Sequence, residues 1–85
     1  MSYQVEFTSA AAKQIRKLQR PVRERLLDAI EDLQDDPRPH GARKLVGEAI
    51  AWRIRVGDYR VIYEVVDESL VVTVIRAAHR REVYR

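Results

Sequence analysis

There is no cysteine in these 85 residues, so neither a disulfide framework nor a thiolate metal site can form. Histidine is nearly absent too: His40 and His79 are too few to build a protein-only zinc site in a monomer. No apolar run approaches the roughly 18 residues that cross a bilayer. The N-terminal stretch lacks the apolar centre of a signal peptide. These absences exclude disulfide-stapled secreted domains, zinc modules and membrane spans, and they point to the cytoplasm. No repeat, low-complexity segment or linker divides the chain, so residues 1–85 read as a single domain.

What is present fits a small folded protein. A hydrophobic fraction of 46% and a charged fraction of 34% are those of a soluble globular chain with one core. The net charge of +3 is unevenly placed. Residues 1–37 hold six Lys/Arg against seven Asp/Glu, whereas residues 38–85 hold ten against six. The basic surplus lies in the second half, where it can steer an anionic partner.

Tyr3 to Phe7 alternates polar and apolar residues and reads as a short strand. Thr8 or Ser9 can cap a helix over Ala10–Leu18, with Ala11, Ile15 and Leu18 on one face. Pro21 opens a second helix, whose apolar stripe is Val22, Leu26, Leu27, Ile30 and Leu33. Asp36-Pro37-Arg38-Pro39 ends it, because a residue before proline is pushed out of the helical region. The short connection makes the helices an antiparallel pair. A polar loop over 40–48 carries Arg43 and Lys44. Strands follow at Ala51–Val56, Tyr59–Val66 and Leu70–Ala77, joined by tight turns at Gly57-Asp58 and Asp67-Glu68-Ser69. The order β-α-α-β-β-β predicts an α+β fold, with a mainly antiparallel sheet and a helical hairpin on one face.

One stretch stands out, Ala51-Trp-Arg-Ile-Arg-Val56. Strand side chains alternate between faces, so Trp52, Ile54 and Val56 take one side and Arg53 and Arg55 the other. Arg60 follows the turn, and Arg76, Arg80 and Arg81 come from the last strand and its exit. Arginines on an exposed strand face keep a sheet soluble, and on spacing alone that reading is the better one. Several guanidinium groups on one face can also grip phosphate bidentately. Tyr84 reads either as a ring anchored against the sheet or as a base-stacking or proton-donating group. His79 is a surface imidazole or a general acid–base group. Trp52 reads as core, His40 as loop and the acidic face of the second helix as solvated surface.

The whole chain resembles toxins of the RelE/ParE superfamily, the toxic halves of type II toxin–antitoxin pairs. The resemblance rests on Tyr3-Gln-Val-Glu-Phe-Thr, Lys44-Leu45, Trp52-Arg-Ile-Arg-Val, Gly57-Asp-Tyr-Arg-Val-Ile-Tyr-Glu-Val and His79-Arg-Arg-Glu-Val-Tyr-Arg. It implies an mRNA interferase that enters the ribosomal A site and cuts mRNA there by attack of a ribose 2′-hydroxyl, with no metal or cofactor. It implies catalytic roles for Arg53 and Arg55 (lysines in the archetype), Arg60, Arg80 and Tyr84, with Lys44, Arg76, His79 and Arg81 binding RNA. The last segment is shorter than in well-studied members, so Arg81 can stand in for Arg80. Arginine keeps its proton at neutral pH, which leaves the general base unassigned and His79 a candidate. The implied partners are a RelB-like antitoxin, the ribosome and mRNA, no membrane, and operon DNA only through the antitoxin complex. The resemblance leaves open a ParE-like toxin that inhibits gyrase, and an inactive member that only binds antitoxin.

Overall fold

The chain leaves its first strand, β1 (Gln4–Phe7), at Thr8, whose hydroxyl oxygen accepts the Ala11 N–H at 3.1 Å and caps α1 (Ser9–Arg16). A computed structural model describes residues 2–83, and within them the side chains of residues 2–81. The second helix, α2 (Arg20–Asp32), has Pro21 in its first turn, where the missing N–H breaks no helical bond. Leu26 and Ile30, with Leu33 just beyond, keep the i, i+4, i+7 spacing and are buried. Leu27, expected in that stripe, sits one helical step round and is 39% exposed.

Five strands then complete one sheet in the order β1-β5-β4-β3-β2, with β2 (Arg43–Lys44), β3 (Ala51–Val56), β4 (Tyr59–Val66) and β5 (Val71–His79). All neighbours are antiparallel except β1 and β5, which run parallel. A short helix, α3 (Arg80–Val83), follows directly. The expected α+β order holds, with two additions. A two-residue strand forms inside the segment read as loop, and β5 runs on through His79 into α3. No helix is long and apolar enough to cross a membrane, among the described residues.

Both long helices cover one face of the sheet. Ala11, Ile15, Leu26, Ile30 and Leu33 pack there on Ile54, Val61, Tyr63, Val65, Val72, Val74 and Ala77. Tyr63 is fully buried and its hydroxyl donates to the Pro37 carbonyl at 2.7 Å; burial pushes that hydroxyl's pKa up to about 12. Trp52 joins the core edge rather than its centre, half-buried beneath the Arg38 guanidinium at 5.3 Å. Arg38 in turn grips Asp67 with two bonds of 3.1 and 2.7 Å, and the Tyr3 hydroxyl donates to the same carboxylate at 2.6 Å. Arg38 first and Tyr3 second hold the Asp67 carboxyl below its usual range.

One irregularity positions the functional face. Strand β5 carries a bulge at Ile75, so Arg76 pairs with Ile62 while Val74 pairs with Tyr63. In a regular strand Arg76 would share the core side with Val72 and Val74. The extra residue turns it outward and returns Ala77 to the core. Helix α1 stabilises the bulge: the Thr8 hydroxyl donates to the Ile75 carbonyl at 3.2 Å, and the Gln14 side-chain oxygen accepts the Ala77 N–H at 2.8 Å.

Candidate nucleic-acid interface

The face away from the helices gathers the arginines. Register fixes the arrangement: Arg55 lies directly opposite Arg60, and Arg53 lies between Arg43 on β2 and Ile62 on β4. Arg76 flanks Ile62 from the other side. Arg53 and Arg55 therefore share one face, as the alternation of β3 predicts, Arg60 joins them by pairing with Arg55, and Arg76 joins them through the bulge.

At one end of this face lies an open cavity of about 340 Å³, lined by Arg55, Gly57, Asp58, Tyr59, Arg60, Arg80 and Arg81. Gly57 makes the β3–β4 turn with φ of 61°, a left-handed conformation that favours glycine. The Arg80 N–H donates to the Asp58 carbonyl at 2.8 Å and so ties the start of α3 to that turn. Both Arg80 and Arg81 border the cavity. Arg60 is only 6% exposed, which makes it the buried cation of the site. A guanidinium held on a strand and partly shielded from water binds an oxyanion more strongly than one in solvent.

The other basic residues separate. Arg53 and Lys44 border a second open cavity, together with Gly41, Arg43 and Arg55. Lys44 pairs with Trp52 and so has the opposite strand parity to Arg43 and Arg53. His79 pairs with Tyr59, on the helix side of the sheet. Its ring meets Tyr59 edge-on, with centroids 5.4 Å apart, and its Nδ1 accepts the Arg81 N–H at 3.3 Å. It lines an adjoining cavity with Val22, Arg25, Leu26 and Val56, which shares Gly57, Asp58 and Tyr59 with the arginine cavity. Tyr84 lies outside the described residues. Sequence reasoning passed over two residues: Arg43, which had no strand pattern to place it, and Asp58, the carboxylate lining the arginine cavity. Among the described residues no cluster of three or more His, Asp or Glu is placed to hold a metal ion.

The fold has known counterparts. The chain is 38% identical to the mRNA interferase toxin RelE of Escherichia coli K12, over 99% of this chain and 92% of that protein. It is 34% identical to the toxin RelG of Mycobacterium tuberculosis, over 100% of this chain and 99% of that one. The toxin in the archaeal RelE–RelB complex of Pyrococcus horikoshii superposes with a TM-score of 0.83 at 29% identity, covering 94% of this chain and 97% of that one. A family model described as ParE toxin of the type II toxin–antitoxin system parDE matches residues 5–84, and the chain belongs to this family of type II toxin–antitoxin toxins.

Proposed function

We propose that this toxin is a ribosome-dependent endoribonuclease that cuts mRNA in the A site by a metal-free route. The observation that carries the reading is the convergence of Arg55, Arg60, Arg80 and Arg81 on one cavity. The similarity to a protein named an mRNA interferase supports the same class of substrate. In the reaction a ribose 2′-oxygen attacks the adjacent phosphorus as its proton departs. The bond from phosphorus to the 5′ oxygen then breaks, and that oxygen takes up a proton. The products are a 2′,3′-cyclic phosphate and a free 5′-hydroxyl. Negative charge builds up on the phosphorane oxygens, where the guanidinium groups stabilise it.

Arginine stays protonated, so the cluster holds and stabilises rather than accepting the 2′ proton. His79, turned to the helix side, is poorly placed for that task. Asp58 is the proton acceptor that borders the cavity, alongside water. Lys44, Arg53 and Arg76 bind the strand on either side. The resemblance adds Tyr84 as a base-stacking ring. A RelB-like antitoxin would silence the toxin, consistent with the RelE–RelB complex among the solved relatives. Its C-terminal segment would be acidic, because charge of that sign covers the arginine face. Operon DNA would be met only through that complex, in the cytoplasm.

The matched ParE description favours a second reading, inhibition of gyrase without RNA cleavage. Primer extension on mRNA from cells expressing the toxin separates the two. The first reading expects cuts within A-site codons, with 5′-hydroxyl ends. Intact mRNA together with lost DNA supercoiling activity would establish the second instead.

A further inference from the structure

Helix α1 carries a half-buried polar residue, Gln14, on the side that faces the sheet. Its apolar stripe is Ala11, Ile15 and Leu18, and Gln14 completes the i, i+3, i+4, i+7 spacing. An apolar side chain would serve packing better there, so the amide has another task. Its oxygen accepts the Ala77 N–H at 2.8 Å, from a residue 63 positions along the chain.

That bond continues a sheet edge by other means. Strand β1 ends at Phe7, opposite Val74, while β5 runs on to His79. Beyond Val74, groups of Thr8 and α1 take over the edge that β1 leaves. The Thr8 N–H donates to the Val74 carbonyl at 3.0 Å, and the Thr8 hydroxyl donates to the Ile75 carbonyl at 3.2 Å. Gln14 then receives Ala77. That residue is only 5% exposed, and a buried N–H without an acceptor is costly. Gln14 is therefore the acceptor that lets the bulge at Ile75 close inside the protein.

The bulge sets the phase of everything after it. Because one residue is extra, Ala77, Ala78 and His79 pair with Val61, Arg60 and Tyr59. The Arg80 N–H then reaches the Asp58 carbonyl at 2.8 Å. Arg76 turns outward by the same step. Helix α3, with Arg80 and Arg81 beside the arginine cavity, starts where that count places it. Sliding β5 back by one residue would carry Arg76 into the core opposite Val61. Loss of the Gln14 acceptor is therefore relieved by opening residues 75–80 to water, which loosens Arg76, Arg80 and Arg81 together.

We propose that Gln14 is a positioning residue of this toxin, which through the Ala77 N–H holds the β5 bulge closed and so aims Arg76 and the start of α3. It lies on the helix side of the sheet, away from the arginine face, and acts through the backbone of β5. This role rests on the reading of the protein as an RNA-cutting toxin.

The test compares Gln14→Met, which keeps the length of the side chain without its oxygen, with Gln14→Glu, which keeps an acceptor. Gln14→Ala repeats the first change without the bulk. Amide hydrogen exchange read by NMR should be roughly tenfold faster at Ala77 and Arg80 in the Met and Ala variants, with the amides of β3 unchanged. Single-turnover cleavage at saturating toxin on programmed ribosomes should fall about 10–100-fold per folded molecule, the scale for a misplacement of about 1 Å. Gln14→Glu should exchange and cut within about threefold of the unsubstituted protein, because a carboxylate accepts the same bond. A merely structural glutamine would lower the melting temperature and leave the cleavage rate of the folded fraction alone. Cleavage by Gln14→Met and Gln14→Ala within about twofold of the unsubstituted protein, or unchanged Arg80 exchange in both, would overturn the proposal. Gln14→Glu as slow as Gln14→Met would overturn the hydrogen bond as the cause. If the unsubstituted toxin cut no codon, the nuclease reading would fall, and exchange at Arg80 would still decide whether Gln14 aims α3.

Discussion

Replacing Arg55 by threonine should make the protein more stable and less active. Arg55 is exposed and directly faces Arg60 across β3 and β4. A like-charged cross-strand pair costs about 0.2–1 kcal/mol, and Arg55→Thr removes it while keeping a residue suited to a strand. For a domain of this size each kcal/mol moves the melting temperature by about 4–8 °C, so a rise of about 1–8 °C is expected. The rise should be largest near 0.01 M salt, where the screening length is about 30 Å. It should shrink towards zero near 1 M, where that length is about 3 Å. A gain from strand propensity alone would survive high salt, so the salt difference isolates the repulsion. Codon cleavage by the same variant should fall about 10²-fold, because one cation of the phosphate cavity is gone. Calorimetry at the two salt concentrations and a single-turnover cleavage assay read both effects. A melting temperature that is lower than wild type, or raised equally at both salts, would refute the argument that binding charge is held here against stability.

Other expectations follow from the fold. Tyr63→Phe leaves the Pro37 carbonyl without its 2.7 Å donor inside the core, and denaturant unfolding should show a loss of about 1–3 kcal/mol with cleavage per folded molecule retained. Asp67 has a carboxyl held low by Arg38 and Tyr3, so its contribution to stability is present above the ordinary carboxylate range and lost as pH falls through the lowered value. Asp67→Asn should flatten the acid side of the stability–pH curve, and an unchanged curve would remove the clamp from the account. His79→Ala should leave the cleavage rate within a few-fold of wild type while Asp58→Asn lowers it; the reverse result would return the proton-accepting role to the imidazole.

How much of this was legible in the sequence depends on the element. The alternation in Trp52-Arg-Ile-Arg-Val56 and the Gly57-Asp58 turn predict a hairpin with its arginines on one side, because period and turn chemistry are local properties. The cap narrows to Thr8 or Ser9, and the α2 spacing places Leu26, Ile30 and Leu33 correctly but takes in the exposed Leu27. Arg76 was not: Val71 to Ala78 carries apolar residues on both parities around Thr73 and Arg76, so no period reveals the bulge at Ile75 that turns the arginine outward. The side taken by His79 follows from pairing with Tyr59, a long-range register that no local pattern encodes. Arg43 escaped for a related reason. Its strand is two residues long, and it exists only because β3 offers it an edge. The parallel pairing of β1 with β5 is likewise a tertiary outcome.

The account stands most directly on Arg60, the buried cation between Arg55 and Ala78 on the open face. Single-turnover cleavage of an A-site codon on programmed ribosomes, comparing wild type with Arg60→Ala at equal folded concentration, is the measurement that tests it. A fall of about 10²–10³-fold with the unfolding transition kept is the predicted result. Cleavage within threefold of wild type would contradict it, and the arginine cavity would then not be where the phosphate reacts.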